Sequence, residues 1–523
     1  MTMGVCILIP VLLPVIAGAL LLLPLQRDKI GEEADQRQSG LSLLHRIVGS
    51  VMAVSAAVSL IVAWTGADSF TWFELMEGLP VYFHIDDVGR LFITVISIVW
   101  VLVCFYSFTY MEHEGKERRF FAFYLIVYGI LAALCFSGNL VTLYLFYELM
   151  TLASMPMVLH SGTHEAVMAA LKYLFYSLCG AYMGLFGIFF LYKYCDSLTF
   201  TAGGTLNLAL ADGHTGILLA AVFLMIIGFG AKAGMFPLHA WLPAAHPVAP
   251  SPASAVLSGI IAKVGVLAVI RVVYYIVGSE FIRGTWVQTA WMVLALLTVF
   301  MGSMLAVREP VFKKRLAYST VSQVSYILFG LAVLSQTAME GALLHVVSHA
   351  FAKCTLFLTA GIFLYRAGFA RVEQLDGIGK KMPKTLWCYT LAALTLVGIP
   401  PTSGFISKWY LAQGSLEAEL GGFSWVGPAI LLLSALLTAA YLLTIMTNGF
   451  FPKKKEPVAV SARESGKENA DCAGAAGKQA AELTEAPVGM LVPLAILAAI
   501  AVLLGVFPNP LIRFVSEIAA SVL

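Results

Sequence analysis

Glu148, Lys232, Lys263, Lys353 and Lys408 lie deep inside long apolar runs, where a charge is out of place. A charge at the centre of a bilayer costs about 2.5–3.5 kcal/mol on insertion scales, so it persists only where it faces a protein interior, a partner or water. Lysine in such a setting suits proton transfer. Burial weakens an amine's hold on its proton and a neighbouring carboxylate strengthens it, so moving one nearby charge can load or unload the group. A single Lys–Glu pair reads equally well as a static ion pair that fixes helix packing. Four buried lysines with one central glutamate read as a conducting set. Lys172, about two turns into its own run, is a further candidate that can also reach the membrane edge by snorkelling. Arg90 and Arg271 fall near the ends of runs and read as ordinary anchors.

His345 and His349 are four residues apart and share a helix face, and Lys353 continues the same stripe. Three titratable groups at that spacing read as a wire along one helix, and His239 is counted with them as a relay residue. Two imidazoles at this spacing are also a metal-binding pattern, but we expect no metal, no cofactor and no catalytic residue in this chain. Gly234 and Pro237 follow Lys232, whereas Pro400, Pro401 and Gly404 precede Lys408. Proline removes a backbone hydrogen bond and kinks a helix. Interrupted backbone at membrane depth is tolerated where it lines a cavity. A break and a buried lysine therefore coincide twice.

The two coincidences are related by an offset. Gly228-Phe229-Gly230-Ala231-Lys232 matches Gly404-Phe405-Ile406-Ser407-Lys408 at a separation of 176 residues, and the same shift lays Leu257-Ser258 on Leu433-Ser434. Five helices separate the matched spans, and an odd number of crossings inverts the second copy relative to the first.

The elements that must position these residues follow from composition. Of 523 residues, 60% are hydrophobic and 12% charged, against about a quarter charged in soluble domains. The mean hydropathy is +0.87. Apolar runs of about 20 residues, long enough to cross ~30 Å of hydrocarbon, fall at 5–25, 47–65, 88–110, 119–136, 139–160, 165–192, 215–236, 253–277, 286–307, 316–335, 340–365, 385–413, 424–450 and 488–508. The fold expected is an all-α membrane protein of about fourteen helices, with helices 7 and 12 broken. Residues 1–118 hold helices 1–3, 119–277 a first repeat of five helices, 286–450 a second repeat inverted on the first, and 488–523 the last helix. The first run is read as a retained span because no basic segment precedes it and Arg27 and Lys29 follow it.

Arg27, Lys29, Arg37 and Arg46 crowd the first loop, Lys116, Arg118 and Arg119 the third, Arg308, Lys313, Lys314 and Arg315 the ninth, and Arg366, Arg371, Lys380, Lys381 and Lys384 the eleventh. The second, fourth, tenth and twelfth loops have no Lys or Arg. By the positive-inside rule the odd loops are cytoplasmic and both termini face outward, in a multi-pass protein of the cell's inner membrane. The polar stretch 452–487 reads as a cytoplasmic linker. Eight cysteines are scattered without a CxxC pair, which argues against a disulfide framework or an iron–sulfur or zinc site. The net charge of +2 gives no sign of nucleic acid binding.

Several stretches together are similar to a known superfamily. Phe146 to Met150, Ala231 to Gly265 (AKAGMFPLHAWLPAAHPVAPSPASAVLSGIIAKVG), Lys313 to Tyr326, His345 to Phe357 and Gly398 to Trp409 resemble the antiporter-like subunits of respiratory complex I, membrane-bound hydrogenases and Mrp-type sodium/proton antiporters. The similarity runs from about residue 80 to 450, and the Ala231–Gly265 block is highly specific. It implies fourteen helices in two inverted five-helix units. It also implies that Glu148 modulates Lys232, that Lys263 connects to a central relay of His345, His349 and Lys353, and that Lys408 is the terminal site. Some complex I members carry glutamate at that last position; the lysine here disfavours that branch.

Two functions remain open at this stage. One is an ion-translocating subunit, for protons or also Na⁺, of a redox-driven complex of the NADH dehydrogenase or hydrogenase kind. The other is a subunit of an Mrp-type antiporter without redox chemistry. Partners are then further antiporter-like and small membrane subunits within the lipid bilayer. A redox enzyme in its own right is disfavoured, because no GxGxxG follows a strand and no cysteine cluster is present. Reporter fusions at Leu523 and within Ala470–Ala480 are expected to fall in opposite compartments, the first outside and the second in the cytoplasm. The same compartment for both would mean a miscounted span.

Overall fold

The computed structural model describes residues 3–23, 34–66, 69–452 and 484–523, with only the backbone of 34–42. The expected linker, 452–487, falls almost wholly outside them, as do Arg27 and Lys29 of the first basic loop. The chain is a bundle of helices: α1 (Leu8–Leu22), α2 (Ala34–Trp64), α3 (Asp87–Glu114), α4 (Glu117–Cys135), α5 (Leu140–Val158) and α6 (His164–Tyr194) come first. Next follow α7 (Thr215–Ala233) and α8 (Trp241–Val248), α9 (Ser251–Val277), α10 (Trp286–Arg308), α11 (Phe312–Ala332) and α12 (Gln336–Ala367). The bundle is completed by α13 (Pro383–Val397), α14 (Ser403–Glu417), α15 (Phe423–Phe450), α16 (Val488–Val506) and α17 (Asn509–Val522).

Among the described residues 12 helices are long and apolar enough to cross a membrane. Two of the expected spans are absent from that set for a physical reason. The run at 316–335 is the 21-residue α11, whose Lys313, Arg315, Ser319, Thr320, Ser322, Gln323 and Ser325 are all buried; its polar side chains face protein, so it does not need an apolar sequence. The run at 385–413 is two helices of 15 residues each, α13 and α14. Likewise α7 stops at Ala233, where Gly234 takes a positive φ of 80°. The backbone is non-helical at 234–240 and at 398–402.

α9 and α12 form the axis of the bundle, buried along the whole of their apolar stretches. α9 is not uniform: Leu257–Ile261 and Arg271–Val277 are π-helical and flank the α-helical Ala262–Ile270 that carries Lys263. Wide turns of this kind occur most often at functional sites. Two elements were not expected. A hairpin of β1 (Phe70–Met76) and β2 (Leu79–Phe83) joins α2 to α3, and the amphipathic α17 buries Val515, Ile518, Ala519 and Val522 after the last long helix.

Close helix approach brings the charges to the axis. With little hydrophobic drive between helices in lipid, small residues that let backbones touch hold such bundles together. A Cβ on Gly228 of α7 would lie 2.3 Å from the Gly180 carbonyl oxygen of α6, and one on Gly180 would lie 2.3 Å from that of Gly228. We expect Gly228→Val to push these helices apart, at an overpacking cost of about 1–3 kcal/mol, and to lower the unfolding temperature of the purified complex. An unchanged melting curve would show that the contact is not tight.

Candidate ion pathway

The first site lies where α5, α6 and α7 meet. Lys232 sits in the last turn of α7 with no exposed surface. Its ammonium donates to the Thr151 hydroxyl of α5 and lies 4.3 Å from the centre of the Tyr147 ring. Thr151 and Tyr147 are four residues apart on one face of α5, so a single turn supplies both contacts. Glu148 is half-buried beside them, and its Oε1 finds no hydrogen-bond donor among the described residues. It is the carboxylate nearest in effect to Lys232, with no direct ion pair between the two. Beyond the amine the helix is interrupted: Trp241 donates its indole N–H to the Ala231 carbonyl at 2.9 Å, and Met235 N–H closes onto Gly230 at 2.9 Å.

The centre of the bundle holds a second group. Lys263 is buried and donates at 2.8 Å to the Ser258 carbonyl, inside the first π-helical stretch of its own helix. Lys353, with no exposed surface, donates at 2.9 Å to the Leu316 carbonyl of α11. His345 and His349 lie one turn apart on α12 with ring centres 5.9 Å apart. His345 Nδ1 is 2.9 Å from the Ser407 hydroxyl of α14. Its Nε2 and both nitrogens of His349 have no partner among the described residues. An imidazole placed so can accept a proton at one nitrogen and pass one from the other. Lys263 and Lys408 are the charges near both rings, and Lys353 is a further one near His349.

Lys408 completes the series on α14. Its ammonium donates at 2.5 Å to the Leu396 carbonyl and at 3.1 Å to that of Val397, both left open where α13 ends. It also lies 5.0 Å from the centre of the Tyr326 ring, which stacks on His345 at 5.6 Å. Lysine over tyrosine therefore occurs at both ends, Lys232 over Tyr147 and Lys408 over Tyr326.

Two sequence candidates are less buried. Lys172 is exposed on α6. His239 is half-buried in the interrupted segment after α7; the charge that acts on it is Lys172, and its ring stacks on Phe236 at 5.9 Å. The structure also buries residues that the sequence reading passed over or assigned to loops. His246 is buried with both nitrogens unpartnered, stacked 4.6 Å from Phe357. Lys313, counted as a loop charge, donates at 2.7 Å to the Ala249 carbonyl inside the protein. Arg271, read as an anchor, has no exposed surface and makes a two-pronged contact with Asp86, one prong at 2.7 Å. Burial alone would raise the Asp86 carboxyl, but the charge and hydrogen bonds of Arg271 and the Gly89 N–H hold it below the usual carboxylate range. The signal for His246 was available, since it lies within the specific Ala231–Gly265 block. Nothing in sequence distance connected Arg271 to Asp86.

Lys232, Lys263, His345, His349 and Lys353 are thus all buried inside the bundle, and Lys408 is partly buried on α14. A family described as "NADH:quinone oxidoreductase/Mrp antiporter, TM" matches residues 137–438, and one described as "NADH-Ubiquinone oxidoreductase (complex I), chain 5 N-terminus" matches residues 72–121. The chain is 33% identical over 480 residues to NADH-quinone oxidoreductase subunit N of Desulforudis audaxviator, covering 90% of this chain and 92% of that protein. It is 26% identical over 523 residues to a Na(+)/H(+) antiporter subunit of Alkalihalophilus pseudofirmus, covering 99% and 97%. In fold it is similar to a chain in the structure of the Mrp complex from Dietzia sp., with a TM-score of 0.79 at 22% identity over 100% of this chain and 98% of that one. With more than half its length matched, the chain belongs to the NADH:quinone oxidoreductase/Mrp antiporter transmembrane family.

Proposed function

We propose that the chain is an ion-translocating subunit of a multisubunit complex in the cell membrane, driven by redox chemistry on other subunits. The proton is the ion its side chains are built to carry. The observation that carries this reading is Lys232: a fully buried amine held by a hydroxyl and a ring face rather than by a contacting carboxylate, beside an interrupted helix and within the field of Glu148. A proton taken up there passes by Lys263 to the His345, His349 and Lys353 group and on to Lys408. His239 and Lys172, less buried than these, serve the entry to Lys232 in this scheme. The support for two inverted five-helix units, 119–277 and 286–450, is the matched offset together with the repeated lysine-over-tyrosine contact, from α5 to α7 and from α11 to α14. The support for outward termini is the alternation of basic loops.

The end-to-end likeness to an antiporter subunit and to a chain of an Mrp complex favours a second reading, in which the ion gradient itself drives exchange of H⁺ and Na⁺. Purifying the complex separates the two, because flavin or iron–sulfur signals in the co-purifying subunits belong only to the first.

Either reading requires Glu148 to act by charge. Glu148→Gln keeps the shape and removes the field on Lys232. We expect proton uptake by vesicles containing the assembled complex to fall at least tenfold, corresponding to about 1.4 kcal/mol or more in the governing equilibrium. An assembled complex that translocates at the normal rate would make Glu148 structural.

A further inference from the structure

The proposed pathway leaves one buried charged pair unused. Arg271 begins the second π-helical stretch of α9, eight residues beyond Lys263, which is about 12 Å along the helix. Its guanidinium lies 4.7 Å from the centres of the Phe200 and Tyr275 rings and grips Asp86 with two nitrogens, while its Nε has no acceptor among the described residues. Asp86 is partly exposed, and its Oδ1 also accepts the Gly89 N–H at 2.9 Å to cap α3. Phe200, Asp86 and the end of α9 meet on the side of the second loop, one of the four without Lys or Arg, and Arg283 is the one arginine in the loop that follows α9.

Beside Lys263, and reaching along α9 to Leu267 one turn short of Arg271, lies a cavity of about 10 Å³ with apolar walls, lined also by Phe92 and Ile96 of α3, Cys135 of α4 and Ala350 of α12. Cys135 touches both ends of the arrangement: it lines the cavity, its carbonyl packs against Gly89 next to Asp86, and it lies in the field of both Arg271 and Asp86. A cavity of that volume holds about one water, and an apolar constriction passes ions only when it wets.

We propose that the Asp86–Arg271 pair and this apolar cavity form a release gate that joins Lys263 to the face of the membrane carrying the second loop. The inference rests on the translocation reading above. Paired, Arg271 holds α9 against the cap of α3 and the cavity stays too small to conduct. Unpaired, a buried guanidinium is strongly unfavourable, so it draws water into the space and connects Lys263 to the outside. His84, Asp87, Arg90 and Tyr275 are the other titratable or charged groups around the pair. They set how readily it opens.

Cys135 reports the gate without any need for transport, so failure of the gate and failure of the translocation reading are distinguishable. Sealed vesicles bearing the whole complex are treated on the outer face with a small membrane-impermeant methanethiosulfonate reagent, and each cysteine is quantified by mass spectrometry. Asp86→Asn is expected to raise labelling of Cys135 at least tenfold over the unmodified chain and to speed passive decay of an imposed pH gradient, with Cys104 and Cys354 unchanged. Asp86→Glu restores low labelling. Unchanged Cys135 labelling overturns the gate, and so does labelling of all three cysteines together, which marks general loosening. Should Asp86→Asn fail to assemble, Val264→Leu fills the cavity from α9. It is expected to slow ion translocation severalfold in an assembled complex; an unaffected rate overturns the proposal.

Discussion

An amine inside a hydrocarbon-thick bundle must be solvated by the protein, and the way this chain solvates its lysines governs the rest of the structure. Unpaired polar groups in a low-dielectric interior are costly, so each ammonium needs acceptors. Lys263, Lys353, Lys408 and Lys313 take backbone carbonyls, and Lys232 takes a hydroxyl and a ring face. These are neutral acceptors. They stabilise the charged amine without fixing it, so that protonation stays responsive to a charge placed nearby. Arg271 is treated in the opposite way. It receives a full carboxylate in a two-pronged contact, and an arginine keeps its proton under all ordinary conditions. The buried lysines thus meet neutral acceptors, and the buried arginine meets a carboxylate.

Carbonyls inside a regular helix are each used four residues on, and Lys353 shares one of these, Leu316 of α11, with the Thr320 hydroxyl. Interruptions supply acceptors to two other lysines. The end of α13 leaves Leu396 and Val397 open to Lys408, and a π-helical stretch in α9 leaves Ser258 open to Lys263. Where α7 ends, the Trp241 indole takes the Ala231 carbonyl instead, and Lys232 turns to α5. The two lysine-over-tyrosine sites therefore resemble each other in their aromatic contact but not in their backbone partner. That difference leaves Lys232, with Glu148 near it, the more easily tuned of the two.

Close packing makes these arrangements discrete. Gly180 against Gly228 and Gly414 against the Ala338 backbone bring helices into contact with no side chain between them, so a shift of one helix moves the groups it carries as a unit. A tightly packed interior has alternative arrangements rather than a continuum of them.

The sequence by itself determined the membrane class, the order of nearly all the helices, the placing of proline and glycine after Lys232 and before Lys408, and the burial of Lys232, Lys263 and Lys353. Apolar run length, proline and glycine placement and the energetic cost of a buried charge are local properties, and a linear reading contains them. It failed where position along the chain was taken for depth in the protein. Lys313 and Arg271 lie near helix ends and were read as loop and anchor charges, yet neighbouring helices close over both. The run at 316–335 was legible as a helix, but its polar side chains gave no sign that protein, not lipid, surrounds it. The short β1–β2 hairpin and α17 carry too little apolar length to announce themselves. Only the tertiary structure decided which neutral groups solvate each lysine, that Lys172 is exposed and His239 half-buried, and that Asp86 meets Arg271 across 185 residues of chain. Those choices depend on which faces of distant helices meet, and no local pattern encodes that.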